Sequence, residues 1–116
     1  MRILVFLMMM VSPAVAQDWA VRSGDEALTG AALRAAIEGQ ELVFFDDGRS
    51  KFSAGGSYSY SYTYANGGGT AFGAWRIDGD AVCIAFRNGF GRCDRYVRSG
   101  ARVVMLTQKG ERFPVR

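Results

Sequence analysis

A chain of 116 residues with no histidine and only two cysteines excludes several chemistries at once. Ser-His-Asp and Cys-His catalysis, histidine-ligated haem and a closed four-ligand zinc site all need residues this chain lacks. At 49% hydrophobic residues and a formal charge of +3, it can build one small core, and no dense basic block points to nucleic acid.

The charge is unevenly spread. From Gln17 to Val82, five basic residues meet nine acidic ones, a charge of −4; from Cys83 to Arg116, eight meet two, a charge of +6. A basic C-terminal third suits an anionic surface, a polysaccharide or an acidic protein. Arginines on the solvent side of edge strands also keep those strands from pairing with other chains.

Residues Met1 to Ala16 read MRILVFLMMMVSPAVA. One arginine, a short apolar run and Ala14-Val15-Ala16 form the pattern of a secretory signal peptide cleaved before Gln17. The expected domains are a signal peptide over 1–16 and a single small β domain over 17–116. The mature chain is expected to be periplasmic or secreted, with no stable membrane insertion after cleavage. Two cysteines in an exported chain imply one disulfide, Cys83 to Cys93.

The segment QDWAVRSGDEA carries Trp19 without a clear period and reads as an arm or a short first strand. A helix follows. Thr29 is a good N-cap, Leu28 can staple to Leu33, and Leu33, Ala36 and Ile37 share a face. Gly39 ends it. Strands are predicted over Glu41 to Asp46, Lys51 to Ala54, Ser57 to Tyr64, Thr70 to Ile77, Ala81 to Phe86, Gly91 to Arg98, Ala101 to Thr107 and Arg112 to Arg116. Turn signals recur about every ten residues, which predicts a mainly β fold. The expected architecture is a small antiparallel meander, barrel or sandwich, of about seven to eight strands with one short N-terminal helix.

Two turns fix testable registers. An Asp78-Gly79 turn pairs Trp75 with Val82 and gathers Ala71, Gly73, Trp75, Val82, Ile84 and Phe86 on one face. A three-residue loop of Arg87, Asn88 and Gly89 sets Cys83 opposite Cys93, a separation that suits a disulfide. The same register puts Arg92 and Asp94 on the core face, where they pair at a barrel mouth or are turned out by a bulge.

The run SYSYSYTYA projects Tyr58, Tyr60, Tyr62 and Tyr64 to one side and Ser57, Ser59, Ser61 and Thr63 to the other. A five-residue loop, Ala65 to Gly69, sets Tyr62 opposite Phe72 and Tyr58 opposite Arg76, leaving the tyrosines outside. A one-residue slip makes the row core instead. On the first register, Tyr58, Tyr60, Tyr62, Phe72 and Arg76 form an exterior binding surface for protein or sugar.

Asp46/Asp47 and Asp78/Asp80 are the paired acids, and two carboxylates can cleave glycosides. Both pairs adjoin glycines in turns, where aspartate is favoured for backbone reasons. No S-x-x-K or G-x-S-x-G motif occurs. Gly67 to Gly69 lack the phosphate-loop pattern and a following helix.

The segment Gly73-Ala74-Trp75-Arg76-Ile77-Asp78-Gly79-Asp80-Ala81-Val82-Cys83, with a second cysteine ten residues on, resembles a pattern of small uncharacterised exported β-domain proteins of alpha-proteobacteria. That resemblance implies a fold and no activity. Trp75 to Cys83 is also similar to a segment of the periplasmic β-barrel inhibitors of bacterial metalloproteases. This likeness implies a lipocalin-like, disulfide-bonded module whose N-terminal arm, here Gln17, Asp18 and Trp19, blocks a protease. The chain departs from that family in placing the partner cysteine after the segment and a helix before the strands.

The expected function is an exported binding module, an inhibitor or accessory protein acting on an envelope protein or polysaccharide. It is expected to be no enzyme and to need no metal or cofactor. The alternatives are a structural envelope component without a specific ligand and a carboxylate-dependent hydrolase.

Overall fold

The computed structural model describes residues 19–116; the signal peptide expected over 1–16 and its expected cleavage before Gln17 lie outside them. The chain is mainly β, with one short helix. Its elements are β1 (Asp25–Ala27), α1 (Gly30–Ile37), β2 (Glu41–Val43), β3 (Arg49–Phe52), β4 (Ser57–Ser61), β5 (Thr70–Asp78), β6 (Ala81–Phe86), β7 (Gly91–Ser99), β8 (Arg102–Thr107) and β9 (Arg112–Pro114).

From β2 to β9 each strand pairs antiparallel with the next. β1 joins the half of β7 that β6 leaves free, with Ala27 opposite Val97. Just beyond β2 and β9, Phe44 bridges Val115, and the Arg116 amide donates to the Val43 carbonyl at 2.7 Å. The meander is thus a curled half-barrel whose two edges touch at one place. Joining them there hides backbone groups that would otherwise template aggregation.

Side chains alternate across this curl with period two. Leu42, Phe52, Tyr58, Trp75, Val82, Ile84, Tyr96 and Met105 point inward and are buried in one core cluster. Helix α1 adds Leu33 and Ile37, both fully buried, and Ala36 beside them. Each such Leu or Ile contributes about 1.5–3 kcal/mol by leaving water, which is how an eight-residue helix holds its shape. Thr29 takes the N-cap position without a side-chain bond. Past the end of α1, Gly39 at φ +72° donates its amide to the Phe52 carbonyl at 2.8 Å.

A second, smaller cluster lies on the outer face of β7 and β8. Val97, Val104 and Leu106 are buried there under Trp19, with the Arg95 guanidinium 5.0 Å from the indole centroid. Arg112 on β9 ties this N-terminal strap down. It donates to both Asp25 oxygens, at 2.6 and 3.1 Å, and to the Ala20 carbonyl at 3.0 Å.

Two turn registers differ from those predicted. The β5–β6 turn is Gly79-Asp80, so Trp75 faces Ile84 and Ile77 faces Val82. Glycine at the first central position, here at φ +60°, fits a type II′ hairpin. The change sets Ile77 against Val82 instead of Asp80. It amounts to two residues, so the inward set keeps its face.

The β4–β5 connection is not a five-residue loop. Ser61 faces Thr70, and residues 62–69 hold a short 3-10 turn at Tyr64–Asn66. Tyr58 then faces Gly73 instead of Arg76, and Tyr60 faces Ala71. This shift is three residues, an odd number, and it turns Tyr58 and Tyr60 to the inside.

Candidate functional site

One end of the curl is hollow. A cavity of about 390 Å³ opens beside the turns that follow β2 and β4, lined by Phe44, Phe45, Asp46, Tyr58, Tyr60, Tyr62, Phe86, Arg92, Met105, Phe113 and Pro114. The volume lies at the small end of the range for ligand sites. Several side chains at the opening are exposed although apolar: Phe45, Tyr62 and Phe113.

The aromatic wall is built from β4 and β6. Tyr58 is buried; its hydroxyl shares a 2.9 Å hydrogen bond with the buried Ser50 hydroxyl. Its ring packs on Phe52 at 5.0 Å and edge-on to Phe86 at 5.8 Å. Burial pushes the Tyr58 phenol up to about 12, so it stays neutral. Tyr60, half-buried, meets the Tyr62 ring edge-on at 4.8 Å. Burial raises its phenol too, helped by the field of Asp46. Gly48 makes this placement possible, because a Cβ there would collide with the Tyr60 hydroxyl.

Arg92 on β7 brings the charge to the floor. Its Nε donates to Asp94 Oδ2 at 2.9 Å and one terminal nitrogen reaches the Met105 sulfur at 3.3 Å. Asp94 is almost fully buried, whereas the Arg92 side chain is 37% exposed. Burial raises the Asp94 carboxyl above its ordinary value, against the pull of Arg92. Burial works against the Arg92 cation as well, but the Asp94 field and hydrogen bond outweigh it and raise its pKa. The disulfide Cys83–Cys93 crosses the outer face between β6 and β7, one residue from Arg92.

The five residues expected to form one exterior surface are separated. Tyr58 is core, Tyr60 and Tyr62 line the cavity and its opening, and Phe72 and Arg76 point outward from β5, both exposed. Phe72 is stacked under Arg87, at 5.1 Å, and Arg76 sits opposite Cys83. The exterior surface is therefore corrected: the odd shift in the β4–β5 register divides it between the two faces. Arg92 and Asp94 do share the core face and pair there. Phe44, Phe45, Met105 and Phe113 were not read as site residues. They lie on three different elements, and only the curling of the sheet brings them together.

The paired acids are turn residues. Asp46 Oδ1 accepts from the Gly48 amide at 2.8 Å and Oδ2 from Asn66 Nδ2 at 3.2 Å. Asp47, at φ +67°, pairs with Arg116 at 2.5 Å. Asp78 and Asp80 are exposed at the β5–β6 hairpin. Some of the basic residues line a separate cleft of about 560 Å³, with Arg22, Arg102 and Arg112 on its walls. Arg112 is committed to Asp25, and Arg102 stacks over Phe45 at 4.7 Å. Compared with that cleft, the cavity inside the curl joins apolar walls to an incompletely satisfied charge. Comparison with protein-family models, curated proteins and solved structures gave no match, so what this site can do rests on its own geometry.

Proposed function

We propose that the chain is a small binding module and that the cavity inside its curled sheet is the binding site. The observation that carries this reading is the hollow itself. A chain that could fill its interior with aliphatic residues instead leaves about 390 Å³ open, walled by tyrosine and phenylalanine and floored by a guanidinium. Aromatic walls with a few polar groups are what ligand sites are made of. The apolar N-terminus and the disulfide support work outside the cytoplasm, in the periplasm or beyond. Among the described residues, no helix is long and apolar enough to cross a membrane.

The test is a thermal-shift screen with small amphiphiles, run on the native sequence and on two pairs of variants. Tyr60→Ala and Phe113→Ala should abolish any stabilisation by a hit, whereas Phe72→Ala and Arg76→Ala should keep it. Loss of binding in the outer pair alone would move the site to the outer face and sink the proposal.

A second reading has its own observation. Phe45, Tyr62 and Phe113 lie exposed around the opening, and aromatic rims suit macromolecular contacts. On this reading, an envelope protein or polysaccharide seats over the mouth. Co-purification from an envelope extract that is lost in Phe45→Ser but kept in Tyr60→Ala would favour it.

A further inference from the structure

The chemistry of the cavity narrows its ligand. Two charged side chains line it, Asp46 and Arg92, and they differ in where their bonds are placed. Each Asp46 oxygen already accepts a hydrogen bond within the turn and from Asn66. A guanidinium carries five N–H donors. In Arg92 one serves Asp94 and one the Met105 sulfur, a weak acceptor. The remaining three have no acceptor among the described residues.

The counter-charge does not face the cavity. Asp94 is buried and forms no part of the lining. It fixes Arg92 through Nε and leaves Nη1 uncommitted. An arginine held by Nε and presenting terminal nitrogens to an aromatic-walled space matches a carboxylate, which accepts two N–H bonds in one plane. The walls supply the rest: Tyr60, Phe86 and Phe113 offer faces and edges to an apolar body. A cavity of about 390 Å³ limits that body to one ring or a short chain.

Building on the cavity as the binding site, we propose that its ligand is a small organic carboxylate. The acid group sits on Arg92 and the apolar body between Tyr60, Phe86 and Phe113. A cationic ligand is disfavoured, since both oxygens of the one carboxylate on the lining already hold neighbours of their turn and the charge on the floor is itself a cation.

Isothermal titration with two matched series tests this: 4-phenylbutyrate, 4-phenylbutyramide and 4-phenylbutylamine, and decanoate, decanamide and decylamine. At least one carboxylate should bind about tenfold or more tighter than its own amide, as a charge-assisted hydrogen bond requires, with the amine weakest. Removing Arg92 alone strands a buried carboxylate and endangers the fold. The diagnostic variant is therefore the double replacement Arg92→Met with Asp94→Leu, which keeps volume and removes both charges. It should fold, keep amide binding and lose the preference for the acid. Amides binding as tightly as acids, or amines binding best, would overturn the carboxylate while leaving the cavity as the site. No heat and no NMR shift at Tyr60 or Phe86 with any of the six compounds would overturn both. An acid preference that survives in the double variant would also overturn the proposal.

Discussion

The two ends of the curled sheet share one inward alternation, yet one is filled and the other is hollow. At the filled end, Trp75 and Phe52 meet edge to face at 5.8 Å within the cluster that takes in Leu33 and Ile37 of α1. The indole N–H donates to the Ser53 carbonyl at 2.7 Å. At the hollow end no residue of α1 lines the cavity. Tyrosines stand where aliphatic side chains would otherwise meet, and a buried aspartate holds an arginine to the wall. Filling stabilises without selecting; the hollow gives up packing, and on the proposed function it gains a place where chemistry can be read. The difference teaches that α1 contributes to the filled core, while the hollow end is the one proposed for recognition.

The largest expected effect lies at the filled end. Trp75→Ala removes a buried indole and its hydrogen bond, and should cost about 3–5 kcal/mol in a urea melt. If Tyr60→Ala costs as much, the ends are not different in kind and the comparison fails.

Next comes the disulfide, which fastens β6 to β7 on the outer face behind Arg92. It closes a loop between residues ten apart in sequence. Chain entropy then gives about 3 kcal/mol at most. Replacing Cys83 and Cys93 by serine should lower the melting temperature by roughly 4–8 °C per kcal/mol lost. The fold should survive, since the inward cluster is untouched. Complete unfolding of this variant would mean that the curl depends on the covalent link.

At the hollow end, Tyr60→Ala should cost about 1–2 kcal/mol, less than full burial implies, because one side of the ring already faces the opening. Tyr62→Ala should change stability by about 0.5 kcal/mol or less. Both should weaken ligand binding more than they weaken the fold, which calorimetry and titration on the same samples can show.

Much of this division could be read from the residues, and its failures are informative. Strand positions followed the glycine-bearing turns, and the helix followed Leu33, Ala36 and Ile37. The opposition of Cys83 and Cys93 followed from a three-residue loop, which the Phe86 amide closes on the Phe90 carbonyl at 2.8 Å. The Gly79-Asp80 register differed without consequence because an even shift preserves faces. The β4–β5 register differed with full consequence because an odd shift reverses them. A size argument within the sequence was available. Ala71 and Gly73 are small, and opposite them the tyrosines of β4 find room, whereas Phe72 is better matched by Ser59, its observed partner. The cavity itself was not legible. It arises from the curvature that brings Phe44, Met105 and Phe113 together, and no local pattern writes that.

The smallest effect concerns two ion pairs that look alike and respond to pH in opposite senses. Asp25 accepts two hydrogen bonds from Arg112 and one from the Arg22 amide. These, with the Arg112 bond the larger influence, hold its carboxyl below the ordinary 3.8. A depressed folded pKa means that its contribution is complete above 3.8 and is lost as pH falls through the folded value. Asp94 has one partner and deep burial, and burial raises its carboxyl above 3.8. Its contribution is complete below 3.8 and is lost as pH rises through the raised value. The native protein should therefore lose stability on both sides of the ordinary aspartate range. Urea midpoints measured from about pH 3 to about pH 7 should show Asp25→Asn flattening the acid limb alone. Asp94→Asn should flatten the opposite limb, with the acid limb intact. An undiminished decline above 3.8 in Asp94→Asn would show that this carboxylate ionises in the fold as it does in water. The hollow end would then be wetter, and Arg92 better hydrated, than a site reserved for an organic acid requires.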